Sequence, residues 1–429
     1  MIKKGVSKVT NYDVIVIGAG PSGMMAAIQA RLCGARVAIL ERNNQVGRKL
    51  LLTGGGRCNV TNSADHQELI NHIPGNGKFL YSSLDQFDAS DIIDFFTKAG
   101  IELKEEDHGR IFPVSNSARN IRDALLNKIK VLKIDLLLNQ SLKSIQQSPQ
   151  SQHIQSIRTQ NGLELTTQSL ILATGGKSYS RTGSQGDGYY FAQKLGHSIT
   201  PLYPTEVPLL SNDLFIQSKE LQGISLTDIN LSLINERNKI ITQHRMGMVF
   251  THFGYSGPAV LRCSGHVNLW LRKHPQQVAQ LRLDLTPDWT ISTLDQFSQA
   301  HRQKELVTLL KHWMPEKLAR LILKILNLDG HLAYKNLSPQ QAHDLWALIK
   351  EFPLTAYQSQ NLDKAFVTGG GVNLKEVVPQ TMASKLVKGL YFCGELLDIN
   401  GYTGGFNMTT AFVTGAVAGR HAALELKQA

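Results

Sequence analysis

The 429-residue sequence has few cysteines and no long apolar run. Its four cysteines, Cys33, Cys58, Cys263 and Cys393, form no CxxC or CxxxxC pair, which excludes zinc ribbons, disulfide scaffolds and a redox dithiol. No stretch approaches about 18 uninterrupted apolar residues, so we expect no membrane-spanning helix. The amino terminus is basic but lacks the apolar core of a signal peptide before Val14. We therefore expect a cytoplasmic protein, and we expect no metal site.

Basic residues outnumber acidic ones, 45 against 34, which gives a net charge of +11. Such a balance is typical of proteins that bind nucleic acid, a membrane surface or an anionic ligand. Here the cations are scattered, and the one tight cluster is Lys3, Lys4 and Lys8. This scatter argues against nucleic acid, and an anionic cofactor accounts for part of the excess. We expect a small-molecule substrate, while the oligomeric state stays open.

The strongest pattern is a strand, a glycine-rich turn, a helix and a second strand within residues 13–41. Residues 13–17 are predicted to form a buried parallel strand, helix formers follow from Met24 to a stop at Gly34, and residues 36–40 form the second strand. The turn consists of Gly18, Ala19, Gly20, Pro21, Ser22 and Gly23. Glycines in this spacing permit a tight turn, let the backbone approach a diphosphate and let the helix pack closely on the sheet. The pattern predicts a dinucleotide whose diphosphate binds the N–H groups that open the helix.

Glu41 ends the second strand, where a carboxylate accepts hydrogen bonds from both hydroxyl groups of an adenosine ribose. A 2′-phosphate would be repelled there, so the site favours FAD or NAD. We assign Arg42, Arg48 and Lys49 to the same site, and Arg48 and Lys49 are placed to neutralise the diphosphate.

The rest of the chain favours FAD over NAD. Two further apolar strands, at 170–174 and 389–393, run into glycine turns, and a glycine- and alanine-rich helix follows the second. An extended FAD needs such a distant strand end for its ribityl chain and flavin, although a strand–helix unit without a ligand is the alternative. No histidine lies between Glu41 and Asn62, so we expect non-covalent FAD, while Cys58 and Cys393 leave a thioether link open.

These segments resemble the bacterial flavoprotein family called YhiN-like or BaiN-like, which includes 3-dehydro-bile-acid reductases and is also called aminoacetone-oxidase-like. The matching segments are residues 46–62, 109–115, 173–179, 251–258, 368–372 and 394–407, and TGGGRCN at 53–59 is the most specific of them. The resemblance implies an α/β fold with a glutathione-reductase-like Rossmann FAD-binding domain and inserted substrate domains. It also implies non-covalent FAD.

The remaining cofactor residues are assigned within these segments. Backbone N–H groups from Gly54 to Asn59 would approach the flavin, and Asn407 with the amides that open the last helix would approach it from the other side. Glu395 and Asp398 suit the ribityl hydroxyls. The residues assigned to the cofactor after Lys49 are Gly55, Gly56, Arg57, Cys58, Asn59, Thr174, Gly175, Gly394, Glu395, Asp398, Gly405, Phe406 and Asn407.

The pattern changes past Gly196. Residues 201–270 alternate apolar and polar positions in short runs, which predicts antiparallel strands, whereas residues 291–350 have a helical period. One helix is predicted over 315–326, and Ser338 is predicted to cap another. We therefore expect an FAD domain of 1–195 and 360–429, a β-rich insertion of 196–290 and 351–359, and a helical insertion of 291–350.

We predict an FAD-dependent oxidoreductase without a dedicated NAD(P)H domain. The glycine-rich segment 183–188 follows no clear strand and has no ribose-binding acid, so we expect it to shape a turn near the flavin. The resemblance suggests that NAD(P)H reduces the flavin, which passes hydride to an activated C=C or C=N bond of a small molecule. The alternatives are an amine oxidase that uses O2 and a flavin-containing protein that binds or modifies RNA.

The catalytic acid is not identified by the sequence. The candidates are Tyr179, His252, Tyr255 and Tyr402, each in a glycine-rich segment, with packing as the alternative role for each. Two arginines, Arg57 and Arg110, are candidates to anchor an anionic substrate, and each could instead pair with an FAD phosphate or a nearby carboxylate.

Overall fold

The computed structural model describes residues 10–427, and the basic cluster Lys3, Lys4 and Lys8 lies outside them. The described chain forms two units. The first takes in the residues up to Leu202 and those from Val367 onward, and the second is Tyr203–Phe366.

Both boundaries lie a few residues beyond the 195/196 and 359/360 expected from the sequence. The Thr200 N–H donates to the Gly371 carbonyl at 2.8 Å, which ties the chain before Leu202 to the first unit. The Gln360 N–H donates to the Pro208 carbonyl at 3.0 Å, and residues 360–366 therefore stay with the second unit. These contacts join segments distant in sequence, so composition does not mark the change.

The first unit opens with alternating strands and helices. Up to Leu202 it contains β1 (Thr10–Ile17), α1 (Pro21–Leu32), β2 (Val37–Leu40), β3 (Thr61–Asn62), α2 (His66–Asn71), α3 (Tyr81–Leu84), α4 (Ala89–Lys98), β4 (Leu103–Glu106), β5 (Arg110–Pro113), α5 (Ala118–Val131), β6 (Asp135–Leu137), β7 (Leu142–Gln147), β8 (Ile154–Thr159), β9 (Glu164–Leu172) and α6 (Asp187–Lys194).

The second unit is richer in antiparallel strands. It contains β10 (Tyr203–Thr205), β11 (Leu209–Leu210), α7 (Leu214–Gln217), β12 (Ser225–Ile234), β13 (Ile240–Phe250), β14 (Gly254–Ser256), α8 (Pro258–Lys273), β15 (Ala279–Asp284), α9 (Ile291–Ala300), α10 (Leu306–Leu310), α11 (Glu316–Ile325), α12 (Pro339–Lys350), β16 (Phe352–Ala356) and β17 (Gln358–Ser359). The chain then returns to the first unit with β18 (Val367–Gly369), β19 (Leu390–Phe392) and α13 (Phe406–Leu424).

The main sheet of the first unit has the strand order β6-β2-β1-β9-β8-β7, and β19 also pairs with β9. Its centre is parallel: β1 pairs with β2 and β9, β2 with β6, and β9 with β19. By contrast, β7, β8 and the start of β9 form an antiparallel meander. β2 and the carboxyl-terminal end of β9 are fully buried, as expected for parallel strands covered on both faces. This confirms the predicted α/β Rossmann architecture.

Helix α13 packs directly on α1. A Cβ built on Gly415 would lie 2.3 Å from the Ser22 carbonyl oxygen, and one on Gly419 would lie 2.1 Å from that of Ala26. Only glycine permits such a close approach of two helix backbones. No helix within residues 10–427 is both long and apolar enough to cross a membrane.

The second unit is built on an antiparallel sheet in the order β16-β15-β12-β13-β14-β11-β17. The prediction of strands throughout 201–270 was wrong for α8. Gly257, with φ +98°, turns the chain, and Pro258 takes the first helical position, where a missing N–H costs nothing. Cys263, Val267 and Trp270 are then buried at helical spacing.

Residues 291–350 are helical, as predicted, but they do not form a unit of their own. Leu294 of α9 and Trp346 of α12 are buried in the same core as Leu281 of the sheet. The predicted helix over 315–326 is α11, and Ser338 caps α12 by accepting the Gln341 N–H at 3.2 Å. The local predictions are therefore confirmed, while the division into two insertions is replaced by one shared core.

Candidate cofactor site

The carboxyl ends of four parallel strands meet at one edge of the main sheet. Ile17 of β1 pairs with Leu40 of β2 and with Leu172 of β9, and Phe392 of β19 also pairs with Leu172. The Gly18 N–H donates to the Leu40 carbonyl at 2.7 Å. The glycine turn, Glu41 and the turns that follow β9 and β19 therefore lie along the same edge, which is where open α/β sheets bind ligands.

The turn between β1 and α1 leaves room for an anion. A Cβ on Gly23 would lie 2.0 Å from the Gly18 carbonyl oxygen, so the helix sits tightly on the turn. A Cβ on Gly20 would meet no heavy atom within 4 Å. Gly20 is also the N-cap of α1, which has no side-chain cap and no acid in its first turn. The positive end of the helix dipole therefore faces open space beside Gly20, as a diphosphate site requires.

Glu41 is buried and oriented toward the glycine turn. One carboxylate oxygen accepts the Ala19 N–H at 2.9 Å, and the other accepts the backbone and side-chain N–H groups of Asn43 at 2.9 and 2.7 Å. Since a carboxylate offers about four acceptor positions, at least one remains for a ribose hydroxyl. Glu41 directly follows β2, and its contact with a ribose stays a prediction.

Lys49 differs from the prediction, because its charge is balanced by an acid of the protein. Its ammonium contacts a Glu395 oxygen and the Ser178 hydroxyl, both at 2.7 Å. The other Glu395 oxygen accepts the Ser178 hydroxyl at 3.0 Å and the Thr368 N–H at 2.8 Å. Both members of the ion pair are only about a fifth exposed, at 23% and 21%, and a charge in such surroundings requires a partner. Lys49 thus orients Glu395 rather than standing free for the diphosphate.

Arg42 and Arg48 are also engaged. Arg42 forms an ion pair with Asp187 and donates to the Gln185 side chain at 2.8 Å. Arg48 is exposed and donates to the Asn43 side-chain oxygen at 2.7 Å. Of the two, Arg48 is the cation that a phosphate could approach without displacing an acid.

The glycine-rich segment 183–188 contacts both the end of β2 and the turn after β9. The Asn43 side chain donates both to Glu41 and to the Thr182 carbonyl, the latter at 3.2 Å, and a Cβ on Gly183 would lie 2.5 Å from that amide nitrogen. Together with the Arg42 contacts, this fixes the segment beside the end of β2. It therefore borders the predicted ribose site, and since a Cβ on Gly188 would lie 2.0 Å from the Thr174 hydroxyl, it also reaches the turn after β9. Its place near the flavin stays a prediction.

The three glycines of the TGGGRCN segment form an exposed turn in left-handed conformation. Gly54, Gly55 and Gly56 have φ of +56°, +68° and +88°, and Cys58, at φ +62°, is fully buried behind them. Burial raises the pKa of the Cys58 thiol to about 12, and burial does the same for Cys393. Both therefore stay protonated at neutral pH, which disfavours the thioether link.

Two buried polar atoms beside this edge have no hydrogen-bond partner among the described residues. They are the side-chain oxygens of Asn59 and Thr174, both of which were assigned to the cofactor from the sequence. A buried acceptor without a donor is destabilising by about 1–3 kcal/mol, so such atoms call for a ligand or water. The orphaned oxygens and the uncapped helix fit FAD.

The start of α13 matches the prediction in its backbone but not in its side chain. Gly405, at φ +100°, caps the helix without a side-chain hydrogen bond, which leaves the first N–H groups free of a cap. The Asn407 side chain, however, accepts the Gly401 N–H at 2.8 Å and donates to the Gly401 carbonyl at 2.7 Å. It fixes the preceding loop, and only the helix amides remain for the flavin. Phe406 is buried and stacks on His72 at 4.5 Å.

Glu395 and Asp398 follow β19, as the assignment to the ribityl chain requires. Desolvation raises the pKa of Asp398, although hydrogen bonds from Thr200 and Asn76 oppose the shift. Gly394, at φ +71°, lies against α1, because a Cβ there would lie 2.4 Å from the Ser22 hydroxyl. Gly175, at φ +73°, likewise turns the chain after β9.

Arg57 and Arg110 each pair with a nearby carboxylate, one of the alternatives left open by the sequence. Arg57 donates to Glu106 at 2.8 and 3.1 Å, and Arg110 pairs with Asp107. Both guanidinium groups also lie over the Phe112 ring, at 4.0 and 5.6 Å from its centroid. The two arginines thus pack around the β4–β5 hairpin.

The four candidate acids are divided between the units. Tyr179 and Tyr402 belong to the first unit, and both are partly buried. Burial raises the pKa of Tyr179, so its phenol is protonated at neutral pH. The Tyr402 N–H donates to the His72 carbonyl at 2.9 Å, and its ring meets the His72 ring edge-on at 6.4 Å.

The other two candidates belong to the second unit. His252 is exposed, with its ring edge-on to Phe253 at 4.9 Å. Tyr255 is fully buried, its hydroxyl bonds to Asp213, and burial with this carboxylate raises its pKa far above the usual value. Asp213 in turn accepts the Thr355 hydroxyl at 2.5 Å, so Tyr255 joins strands of its sheet. It is a structural residue rather than an acid.

Several contacts of the site were missed from the sequence. Thr368 stands in a segment that the resemblance covers, and its hydroxyl accepts the N–H groups of Lys177 and Ser178 at 2.9 and 3.0 Å. No sequence pattern pointed to Asn43, although its side chain joins Glu41 to the 183–188 segment. None pointed to His72, although its ring stacks on Phe406. All of these depend on partners far away in sequence.

Known proteins resemble this chain over nearly its full length. Residues 12–421 match the model of the HI0933-like protein Rossmann domain. The chain is 30% identical over 415 residues to the 3-dehydro-bile acid delta(4,6)-reductase of Clostridium scindens, covering 95% of this chain and 98% of that one. It is 31% identical over 404 residues to the ribosomal RNA dihydrouridine synthase of Escherichia coli, covering 94% and 95%.

A solved structure shares the fold. The 3-ketosteroid delta1-dehydrogenase of Sterolibacterium denitrificans matches with a TM-score of 0.54 and 14% identity, covering 97% of this chain and all of that one. With the match over residues 12–421, these similarities confirm the predicted fold and resemblance. The chain belongs to the HI0933-like family of Rossmann flavoproteins and is an FAD-dependent oxidoreductase.

Proposed function

We propose that the protein reduces a C=C bond conjugated to a carbonyl group, with NAD(P)H as the hydride donor. The observation that carries this proposal is the chemistry common to the two full-length relatives. A delta(4,6)-reductase of a 3-dehydro bile acid and a dihydrouridine synthase both add two hydrogens across a double bond conjugated to a carbonyl. FAD, when bound, supplies the ring that accepts and donates hydride.

The protein's own residues bind and orient the reactants. The amino end of α1 and Glu41 would hold the ADP half of FAD, while Asn59, Thr174 and the amino end of α13 would face its redox half. Reduction of a conjugated double bond also requires a proton at the neighbouring carbon or oxygen. Tyr179 and Tyr402 are the candidate donors in this unit, and burial, which raises the pKa of Tyr179, keeps its phenol protonated at neutral pH.

Anaerobic mixing with NADH or NADPH tests the reductase. We expect the flavin absorbance near roughly 450 nm to fall rapidly as the flavin is reduced. It should recover when a conjugated enone is added and reoxidises the flavin. Bleaching by amines alone, followed by recovery of the absorbance when O2 is admitted, would instead support the amine oxidase.

We further propose that the double bond belongs to a uracil base in RNA. The dihydrouridine synthase relative and the net charge of +11 support this substrate, which departs from the small molecule expected from the sequence. A steroid-like enone is the second candidate, because the bile acid reductase relative is about equally similar. Incubation of the reduced holoprotein with a ribosomal RNA fragment and, separately, with a 3-oxo-Δ4 steroid distinguishes them. Mass spectrometry should show the gain of two hydrogens in a uridine, and a gain in the steroid alone would contradict the RNA proposal.

A further inference from the structure

The second unit carries an aromatic stack beside a turn of exposed cations. The Phe297 ring of α9 is flanked by two histidine rings, His301 at 4.3 Å and 29° and His312 at 4.7 Å and 27°. Trp289 meets Phe297 edge-on at 5.5 Å. We call His301, Phe297 and His312 the aromatic stack. Phe297 and His301 are partly buried, whereas His312 is exposed at the end of the stack.

The turn that leaves the stack is basic. Arg302 and Lys304 lie in the turn after His301, and backbone hydrogen bonds join this turn to Tyr334 and Lys335. The Lys335 N–H donates to the Arg302 carbonyl at 2.9 Å, and the Tyr334 N–H donates to the Lys304 carbonyl at 3.1 Å. Arg302, Lys304 and Lys335 are all exposed, and none of the three side chains forms an ion pair within residues 10–427.

The acids near this turn each have a partner other than these cations. Glu305 pairs with His331 at 3.2 Å. Glu316 pairs with Lys311 and Arg320, at 3.0 and 2.7 Å. The Asp295 carboxylate accepts the Tyr334 hydroxyl at 2.5 Å. Within residues 10–427 none of these acids forms an ion pair with Arg302, Lys304 or Lys335, so the three side chains can approach a phosphate without first leaving a carboxylate.

We infer that the aromatic stack and this basic turn bind single-stranded RNA. Stacked rings offer a π-face to any base, and cations spaced along a turn contact successive phosphates, a combination typical of proteins that bind single strands. Exposed His312 would stack a base, while Arg302, Lys304 and Lys335 would contact the backbone. The inference rests on the proposed RNA substrate and names the surface that holds it.

The test uses the FAD-loaded full-length protein and a fluorescein-labelled, uridine-rich strand of about 16 nucleotides. The variant R302Q/K304Q/K335Q removes the cations, and H312A removes the exposed ring. The matched control K130Q/K133Q/K143Q removes the same charge from exposed positions of the first unit. Fluorescence anisotropy over a range of salt concentrations gives the affinity, and the rate of flavin bleaching by NAD(P)H reports whether the first unit is intact.

We expect the slope of log affinity against log salt, which is negative, to become shallower by about 2 in the triple variant, as three lost phosphate contacts predict. We expect H312A to weaken binding roughly tenfold, as the loss of one stacked base predicts. The control K130Q/K133Q/K143Q should retain most of its affinity for the strand. NAD(P)H should bleach the flavin of every variant at the rate seen in the unaltered protein.

Equal losses in the two triple variants, or unchanged RNA affinity in H312A and R302Q/K304Q/K335Q, would overturn the inference. If the unaltered holoprotein fails to bind the strand, the RNA surface is refuted as well. The proposed double-bond reductase is then judged separately, since the NAD(P)H and enone assays involve no RNA.

Discussion

Replacing Gly20 with alanine should separate cofactor binding from folding. Gly20 has φ −79° and ψ −178°, a conformation that alanine adopts freely, and the added Cβ would meet no heavy atom within 4 Å. Alanine is a poorer N-cap than glycine, but it restricts the unfolded chain, an effect of about 0.4–1 kcal/mol in the opposite direction. We therefore expect the free energy of unfolding of the apoprotein to change by less than about 1 kcal/mol.

The effect on FAD binding should be larger. The new methyl group would occupy the open space beside the amino end of α1, where the diphosphate must approach the backbone. Crowding a close-packed contact by one carbon typically costs about 1–3 kcal/mol. This range corresponds to a Kd for FAD that is raised roughly 5- to 150-fold.

Two measurements on the apoprotein check this prediction. Quenching of FAD fluorescence on titration gives the Kd, and thermal unfolding without FAD gives the Tm. G23A is the matched control, because its Cβ would lie 2.0 Å from the Gly18 carbonyl oxygen and the backbone must shift. We expect G23A to lower the apoprotein Tm as well as the affinity. If G20A binds FAD as tightly as the original chain, the diphosphate does not lie at this turn.

Two further predictions concern buried polar groups. N59L removes an orphaned buried oxygen, so the apoprotein should become more stable by about 1 kcal/mol while its FAD affinity falls roughly tenfold; unchanged affinity would show that Asn59 does not face the cofactor. His197 is buried, with its ring nitrogens at 2.7 Å from the Ser384 hydroxyl and 3.3 Å from Glu376, and desolvation lowers its pKa below 6.5. The folded state therefore binds fewer protons than the unfolded chain just below pH 6.5, so stability should fall as the pH drops through this window, and H197N should flatten the decline in Tm between about pH 7 and 5. An identical pH profile in the two proteins would contradict this role.

Features fixed by neighbouring residues were predictable from the sequence. The strand, turn and helix at β1 and α1 follow from a buried apolar run, glycines at defined spacing and helix formers, all within about thirty residues. Ser338 with Gln341 three positions later specified the start of α12 in the same way. Since parallel strands end at a common edge, the position of Glu395 beside the glycine turn also followed once β19 was recognised.

Contacts between distant segments were not predictable. Lys49 and Glu395 are 346 positions apart, and each was assigned to the cofactor because its partner was unknown. Asn407 was assigned to the flavin for the same reason, whereas its amide closes a loop six residues away. A polar side chain near a ligand site has two uses, holding the ligand or holding the site, and the sequence does not distinguish them.

This distinction changes the interpretation of the net charge of +11. The sequence attributed part of the excess to an anionic cofactor, yet Arg42, Lys49 and Arg57 are each paired with an acid of the protein. A pair of this kind adds nothing to the net charge. The diphosphate of FAD is then left mainly to the uncapped end of α1, whose partial charge comes from peptide dipoles and not from side chains. Of the cations assigned to the cofactor, only Arg48 is then placed to meet the diphosphate without leaving an acid, so most of the excess has another use, which is consistent with the proposed RNA substrate.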